Sequence, residues 1–271
     1  MRIFSATLRK LVRRPATWVT LGLMVGLLAL ILLVLAVTTR EGPAGIRRPM
    51  ELLLFTFPTA YLFILEFILS LGGLLSVLYA ASVAGSEWGW GTLKAAVARG
   101  ESRWRYTLAT FAAVAVVLGA GIAVAYTLGV GLDLLAGRIA GVDSGNLGDA
   151  TVLGKLPEQM VRTWLVIVEQ AAIGFAIATV ARSQLAGIGV GIGLYFGEQF
   201  ATIFLPDQVR YLPFHAANAA VDLGAAAGGA ATRGAGTGAL TPEEALLVVA
   251  AWLIGALLLS CLFTDRSEIP G

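Results

Sequence analysis

Three glutamates, Glu66, Glu169 and Glu198, interrupt stretches of this sequence that are otherwise apolar and uncharged. A carboxylate in the middle of a bilayer costs roughly a few kcal/mol, so it needs a partner, a proton or water. One interpretation is functional: the carboxylates line a pathway for a cationic or amphipathic substrate, or they relay protons. The other is structural: they pair with Arg162 or with polar groups of neighbouring helices. The sequence leaves both interpretations open.

The residues that other chemistries require are missing. The single histidine, His215, and the single cysteine, Cys261, cannot make a zinc site, an intrachain disulfide or a catalytic pair. A phosphate-binding loop is also absent, because Gly154-Lys155 is followed by Leu156 and Asp149 occupies the position of the first glycine. We therefore expect no catalytic, cofactor or metal site in this chain, and any ATP chemistry must come from a partner.

Composition predicts a membrane protein. Of the 271 residues, 58% are hydrophobic and only 13% are charged, and the mean hydropathy is +0.83. A soluble domain of this length needs more polar surface than that. The charges cluster between apolar stretches, so the net charge of +2 does not indicate a nucleic-acid partner. We predict an all-α integral membrane protein, a single domain over residues 1–271, with six transmembrane helices at about residues 17–38, 56–85, 106–134, 160–181, 185–205 and 243–263.

The segments outside these helices have patterns of their own. Residues 1–15 alternate apolar and basic side chains, which is typical of an amphipathic helix at a membrane surface, in contact with lipid headgroups. The uncharged stretch Trp18 to Val37 is too long for the core of a cleaved signal, so we expect it to stay as the first span. Residues 206–241 are rich in Ala and Gly and have room for short helices, and Pro242 is suited to begin the last span.

The distribution of cations predicts the orientation. Five Lys or Arg side chains precede the first span, and four more lie within residues 86–105. Short cytoplasmic segments carry such an excess of positive charge. We therefore expect the N and C termini and the 86–105 loop in the cytoplasm, and the 206–241 connection outside. The expected location is a plasma membrane, the inner membrane in a bacterium.

Glycines recur in the predicted fifth span. Gly189, Gly193 and Gly197 are spaced four residues apart and share one helix face, which lets another helix approach closely. Tight packing within the monomer, dimerisation and a flexible gating helix would each use such a face, and the sequence leaves these alternatives open.

The 86–105 loop has the most distinctive pattern. Thr92 is suited to cap a short helix, Gly100 to end it, and Ser102 to cap the next span. Positions 93, 96 and 97 of the short helix are apolar and share one face, which needs cover from the lipid interface or from another protein.

This loop resembles the corresponding loop in the permease subunits of the type-two class of ATP-binding-cassette exporters. In that family the loop between spans two and three carries an acidic residue, a Gly-Thr-Leu run, a short helix and a Ser/Arg-rich entry to span three. Here Glu87, Gly91-Thr92-Leu93, Gly100 and Ser102-Arg103 stand in that order. The amphipathic N-terminal segment, the six spans and the long connection before the last span also match, so the resemblance covers essentially the whole chain.

The resemblance implies a permease subunit that exports a small amphipathic, drug-like or lipid-like substrate. Two cytoplasmic ATP-binding-cassette ATPase subunits would bind ATP and Mg²⁺ and dock on the loop, whose short helix would be the coupling helix. A second permease copy, or a related permease, would complete the complex. The residues expected to couple to the ATPase are Glu87, Gly91, Thr92, Leu93, Val97 and Arg103. The residues of the expected translocation pathway are Glu66, Glu169 and Glu198.

Other interpretations stay open. The loop is also compatible with an ordinary interfacial segment anchored by Trp88, Trp90 and Trp104, because tryptophan favours the headgroup region. A proton-coupled secondary transporter would use the three intramembrane glutamates, although no repeat of two similar halves is visible. A membrane-embedded enzyme, such as a protease or a lipid transferase, is less favoured because the catalytic residues are missing.

Overall fold

A computed structural model describes residues 2–41, 53–221 and 240–266, and these residues form helices joined by short connections, with no strand among them. The prediction of an all-helical chain is confirmed over this part. Much of the 206–241 connection and the tail after Arg266 lie outside the described residues. The helices are α1 (Arg2–Val12), α2 (Pro15–Glu41), α3 (Thr59–Gly89), α4 (Thr92–Ala98), α5 (Arg103–Ala140), α6 (Ala150–Ala181), α7 (Gln184–Phe204), α8 (Pro206–Val209), α9 (Pro213–Val221) and α10 (Pro242–Arg266).

Five helices, α2, α3, α5, α6 and α10, are long and apolar enough to cross a membrane, so the chain has the character of a multi-pass membrane protein. The remaining long helix, α7, has 21 residues and is not among these five, so six spans are a prediction that the structure bears out only in part. Pro242 begins α10, as its position in the sequence predicts.

Two helices extend well beyond the predicted boundaries. Helix α5 runs to Ala140 instead of about residue 134, and α6 begins at Ala150 instead of about 160. Pro157, expected in the connection, therefore lies inside α6. Both α5 and α6 continue beyond their apolar stretches, so the polar residues next to these stretches are helical as well.

The start of α6 is fixed by a local cap. Asp149 accepts hydrogen bonds from the backbone N–H groups of Thr151 at 2.9 Å and Val152 at 3.2 Å, and from the Thr151 hydroxyl. These donors favour the ionised carboxylate and lower the pKa of Asp149 below its usual value. Such a cap satisfies N–H groups that have no partner within the helix.

Helix α6 lies at the centre of the bundle. It packs along α3 and also contacts α7, α9 and α10. A Cβ atom at Gly174 would lie 2.3 Å from the carbonyl oxygen of Val77, so the backbones of α6 and α3 touch at this point. The Ser76 hydroxyl adds a hydrogen bond to the carbonyl oxygen of Ile167 at 3.1 Å. Only two residues, Arg182 and Ser183, separate α6 from α7, which gives the tight helical hairpin that the sequence predicts.

The glycines of α7 divide into two sets. Gly187 packs against Ala178 of α6, and Gly191 packs against the side chain of Val77. Gly189, Gly193 and Gly197 lie on the exposed side, where an added Cβ would have no neighbour within 4 Å. The Gly-x-x-x-Gly face identified in the sequence therefore does not serve helix packing within the described part of this chain.

An elbow joins α1 to α2. The Thr17 hydroxyl donates to the carbonyl oxygen of Leu11 at 2.6 Å, and the indole N–H of Trp18 donates to that of Val12 at 2.9 Å. These donors satisfy carbonyl groups at the end of α1 that lack a helical partner. Beyond the elbow, α1 lies across the beginning of α5, with Leu11 fully buried.

Candidate functional site

The segment between α3 and α5 is the candidate functional site. Helix α3 extends to Gly89, beyond the predicted end at residue 85, so Glu87 belongs to the last turn of α3. Gly91 has φ +65° and Gly100 has φ +86°, and these left-handed residues bound the short helix α4 on both sides. Glycine therefore supplies the two turns that set α4 apart from its neighbours.

Two predicted caps are not made by side chains. Gly91, rather than Thr92, occupies the N-cap position of α4, and the Thr92 hydroxyl donates to Glu87 instead. Ser102 does occupy the N-cap position of α5, but its side chain makes no capping hydrogen bond. The prediction of Thr92 as the cap is therefore wrong, because a nearby carboxylate is the stronger acceptor for its hydroxyl.

Glu87 is the centre of a polar cluster that joins four helices. It is 5% exposed, and its carboxylate lies 2.7 Å from the ammonium of Lys10 in α1. The hydroxyls of Thr92 in α4 and Tyr106 in α5 donate to its second oxygen. A nearly buried carboxylate with one cation and two hydroxyl donors is well compensated, so Glu87 stabilises the contact between α1, α3, α4 and α5.

A second contact ties the elbow between α1 and α2 to the end of α3. The Arg14 guanidinium donates to the Ser86 hydroxyl at 2.8 Å and lies 4.8 Å from the centre of the Trp90 ring. Lys10 lies 5.7 Å from the same ring. The Trp90 side chain remains 65% exposed, so it covers the two cations from the outside.

The apolar face of α4 is covered by the chain itself. Leu93 is 4% exposed and Ala96 is 3% exposed, and α4 lies against α3 and α5. The opposite face of α4 is exposed, and it comprises Lys94, Ala95, Ala98 and Arg99. The sequence predicted cover for this face from the lipid interface or from another protein, whereas the side chain of Leu93 is buried inside this chain. Val97 is half-buried at the edge of the two faces.

Other residues bring further chain segments to the same end of the bundle. Arg103 donates to the carbonyl oxygen of Asp265 at the end of α10 at 2.9 Å. Arg182, between α6 and α7, lies 5.2 Å from the ring of Trp88 and 5.4 Å from that of Phe263. The predicted loop, the α6–α7 turn and the end of α10 thus form one continuous surface.

The three glutamates predicted in the spans have different surroundings. Glu66 is half-buried in α3. Glu198 in α7 accepts hydrogen bonds from the backbone N–H groups of Phe214 at 3.0 Å and His215 at 3.2 Å, at the first turn of α9. Arg162 donates to the carbonyl oxygen of Ala220 at the other end of α9.

Glu198 and Arg162 therefore hold the two ends of α9, each with the charge that complements the helix dipole. This arrangement supports the structural interpretation for Glu198. The partners of Arg162 in ion pairs are Glu158 at 2.8 Å and Glu243 at 4.0 Å, and neither Glu169 nor Glu198 is among its partners in the described residues.

Glu169 is the exception among these carboxylates. Its side chain is fully buried in α6, and within the described part of the chain neither of its oxygens has a hydrogen-bond partner. The tight contact between Gly187 and Ala178 sets the register of the α6–α7 hairpin and places Glu169 near the depth of Glu198. A carboxylate in such a position must be neutralised, by a proton or by a bound species.

A second buried acid without a partner was not predicted. Asp133 lies near the end of the predicted third span, at about residues 106–134, but it was not counted among the acids expected inside the membrane. In the structure α5 continues to Ala140, and Asp133 is fully buried with no partner for either oxygen in the described region. The hydroxyl of Tyr126, two helical turns earlier, is buried and unpaired as well. Their spacing of seven residues, which places both on one helix face, was the available signal.

Among the described residues no three His, Cys, Asp or Glu side chains are grouped so as to hold a metal ion. His215 is exposed on α9, and partial burial of its ring lowers its pKa below the usual value. Cys261 is half-buried in α10. No family model matches this sequence, and no curated protein matches it.

Proposed function

We propose that this chain is the transmembrane permease subunit of an ATP-binding-cassette exporter. Its six long helices would cross a plasma membrane, with both termini and α4 in the cytoplasm. The observation that carries the proposal is the arrangement around α4. This short helix is held from inside by Leu93 and Ala96, presents a small and basic face to the outside, and is joined through Glu87 to three other helices.

Such an arrangement would transmit a movement of α4 to the neighbouring helices. An ATPase that docks on the exposed face of α4 would move a helix whose inner face is packed and whose first residue, Thr92, is bonded to Glu87. Glu87 belongs to α3 and is paired with Lys10 of α1, so both helices would follow. The buried carboxylates Glu169 and Asp133 and the backbone contact at Gly174 belong to helices that this movement would shift relative to one another.

The docking face differs from the one that the sequence indicated. The outward residues of α4 are Lys94, Ala95, Ala98 and Arg99. Two alanines between two cations make a flat basic surface, which suits a groove with an acidic rim in a soluble partner. Leu93 would hold α4 in place rather than contact the ATPase.

The second permease subunit of the proposed complex would pair through α7. Gly189, Gly193 and Gly197 have no neighbour within 4 Å of an added Cβ among the residues that the structure describes, so a helix of a second copy can approach this backbone closely. Disulfide formation by a Gly193→Cys variant in membranes tests this pairing, and Cys261 is changed to serine in the same protein to remove the native thiol.

The docking test uses the exposed face of α4. The first step is to find whether an adjacent gene encodes a soluble ATPase with a phosphate-binding loop; that ATPase is then coexpressed with this chain, and the complex is purified from detergent. Ala95→Glu with Ala98→Glu keeps good helix formers in α4 but adds two carboxylates, and we expect about tenfold less ATPase to copurify. The matched control is Ala150→Glu, an exposed alanine at the opposite end of α6. Equal copurification with the double variant would refute the docking face.

A second candidate is supported by one observation, the burial of Glu169 without a partner. A protonatable carboxyl at that depth suits a proton-coupled secondary transporter. In proteoliposomes that contain this chain alone, such a transporter would move substrate when a pH gradient is applied, and Glu169→Gln would abolish the movement. The permease proposal predicts no transport under these conditions, because the ATPase is missing.

A further inference from the structure

A cavity of about 420 Å³ lies inside the elbow between α1 and α2, where α3 and α5 close its inner wall. This volume is in the range of sites that bind small molecules, roughly 300–1,000 Å³. The wall is almost entirely apolar. Residues from each of the four helices contribute to it, among them Leu8, Trp18, Met24, Leu75, Val117 and Gly121.

The hydroxyl groups in the wall are already satisfied. Thr17 and Tyr79 bond to each other at 2.9 Å, and Thr17 also donates to a carbonyl oxygen of α1. Ser76 donates to the carbonyl oxygens of Gly73 and Ile167. Since no hydroxyl of the wall needs a partner from the cavity, its occupant has to be apolar along the enclosed length.

The cavity opens towards the outer surface of the bundle. Three residues of its wall, Trp18, Val116 and Val124, are 61%, 46% and 44% exposed. Around these residues the outward surface of α2 and α5 is apolar, as expected for helices that face lipid. A lipid chain can therefore enter the cavity from the side without crossing a polar barrier.

The entrance at α1 is basic. Leu8 and Val12 line the cavity, and each is followed directly by an exposed arginine, Arg9 and Arg13. In the part of the chain that the structure describes, no carboxylate forms an ion pair with either arginine, whereas Lys10 is paired with Glu87. Arg13 directly follows the last residue of α1, and its N–H donates to the carbonyl oxygen of Arg9 at 3.3 Å, so the helical turn continues through it. The two arginines therefore lie on one side and present two guanidinium groups at headgroup level.

We propose that the elbow cavity binds one acyl chain of an anionic phospholipid, and that Arg9 and Arg13 hold the phosphate of its headgroup. The apolar wall selects the chain, and the two arginines select the charge. The inference is independent of the proposed function, because the binding needs neither an ATPase nor transport. The bound lipid would lie between α1, whose Lys10 contacts Glu87, and the helices that contain the buried acids Glu169 and Asp133.

Native mass spectrometry of the delipidated full-length protein tests the proposal. Phosphatidylglycerol and phosphatidylcholine with the same acyl chains are titrated separately, and the bound lipid is counted. Each surface cation contributes a factor of about five to the binding of an acidic lipid, so with two arginines wild type should retain phosphatidylglycerol about 25-fold better than phosphatidylcholine. Arg9→Gln with Arg13→Gln should bring the two lipids close to equal retention. Arg99→Gln with Arg266→Gln, two exposed arginines away from the cavity, is the control.

The chain-binding part is tested by filling the cavity. A Cβ atom at Gly121 has no neighbour within 4 Å, so Gly121→Phe and the smaller Gly121→Leu place a side chain in the cavity without a clash at the backbone. Each methylene group of the acyl chain that the new side chain displaces from the cavity should weaken binding by a factor of about four. Displacing two or more should therefore weaken phosphatidylglycerol binding at least tenfold. Gly131→Phe is the matched control, because Gly131 is an open glycine of α5 outside the cavity.

Unchanged binding with both Gly121 variants would overturn the proposal, as would equal binding of the two lipids to wild type. A photo-crosslinking residue at position 121 that captures a second copy of the chain instead of lipid would also overturn it, and the elbow would then be a subunit contact. If Gly121→Phe fails to fold, Gly121→Leu still provides the test, because its side chain is smaller.

Discussion

Replacing Glu87 by glutamine should release α1 from the rest of the bundle. The glutamine side chain has the same shape and still accepts from one hydroxyl, but it loses the charge that pairs with Lys10 at 2.7 Å. A hydrogen bond to a charged group contributes roughly 1.5–3 kcal/mol. The Lys10 side chain is 31% exposed, so solvent screening reduces this contribution, and we expect a loss of about 1–2 kcal/mol.

Amide hydrogen exchange of the protein in lipid nanodiscs measures this loss locally. If α1 separates from the bundle before the rest unfolds, a loss of about 1.4 kcal/mol makes the exchange of its amides about tenfold faster. Amides in the middle of α6 should keep their rates, because the partners of Glu87 in the described part of the chain belong to α1, α4 and α5. Glu101→Gln, an exposed glutamate of the same segment, is the control.

A double-mutant cycle isolates the pair. Lys10→Met, Glu87→Gln and the double variant should give a coupling energy of about 1 kcal/mol, because the second change has little left to remove. A coupling below about 0.3 kcal/mol, together with unchanged exchange in α1, would refute the reasoning that Glu87 holds α1 in place.

Three further predictions concern helix contacts. Gly174→Ala should lower the free energy of unfolding by about 3 kcal/mol or more, because its Cβ would lie 2.3 Å from a backbone oxygen of α3. Gly255→Ala, whose Cβ would have no neighbour within 4 Å among the described residues, should be neutral or stabilising. Glu198→Ala should expose α9 to faster hydrogen exchange, with a cost of about 1–2 kcal/mol, and the neighbouring exposed Gln199→Ala should not. Asp149→Ala should lower the thermal midpoint at pH 7, and the difference should vanish as the pH falls below the lowered pKa of Asp149, because a protonated carboxyl no longer favours the cap. Equal differences at pH 7 and at acidic pH would show that the charge of Asp149 does not matter.

Much of the fold could be predicted from the sequence because it depends on local signals. An apolar stretch as long as a bilayer is thick must form a helix in lipid, where backbone groups find partners only within their own segment. The turn at Arg182 and Ser183, the start of α10 at Pro242 and the left-handed Gly100 follow from residue types a few positions apart. The ends of α5 and α6 were missed, because a helix does not stop where its apolar residues stop.

The candidate site was predicted in part. A short helix does lie after Gly91, and Gly100 does end it, as predicted, whereas the contact between Glu87 and Thr92 was not predicted. Leu93 was expected to be covered by the lipid interface or by another protein, because a pattern of apolar residues on one helix face predicts that the face is covered but not by what. Only the position of α4 against α3 and α5 shows that the cover is internal.

The sequence by itself determined that this chain is helical and suited to a membrane, where its apolar stretches lie, and that Glu66, Glu169 and Glu198 stand within them. The tertiary structure decided what each of those acids does. Lys10 and Glu87 are 77 positions apart, and the backbone donors of Glu198 are 16 and 17 positions away. Such pairs depend on how helices pack, whereas helix formation in lipid depends on each segment alone. The arrangement of the bundle, rather than any local pattern, therefore gives Glu198 its backbone donors and leaves Glu169 unpaired in the described part of the chain.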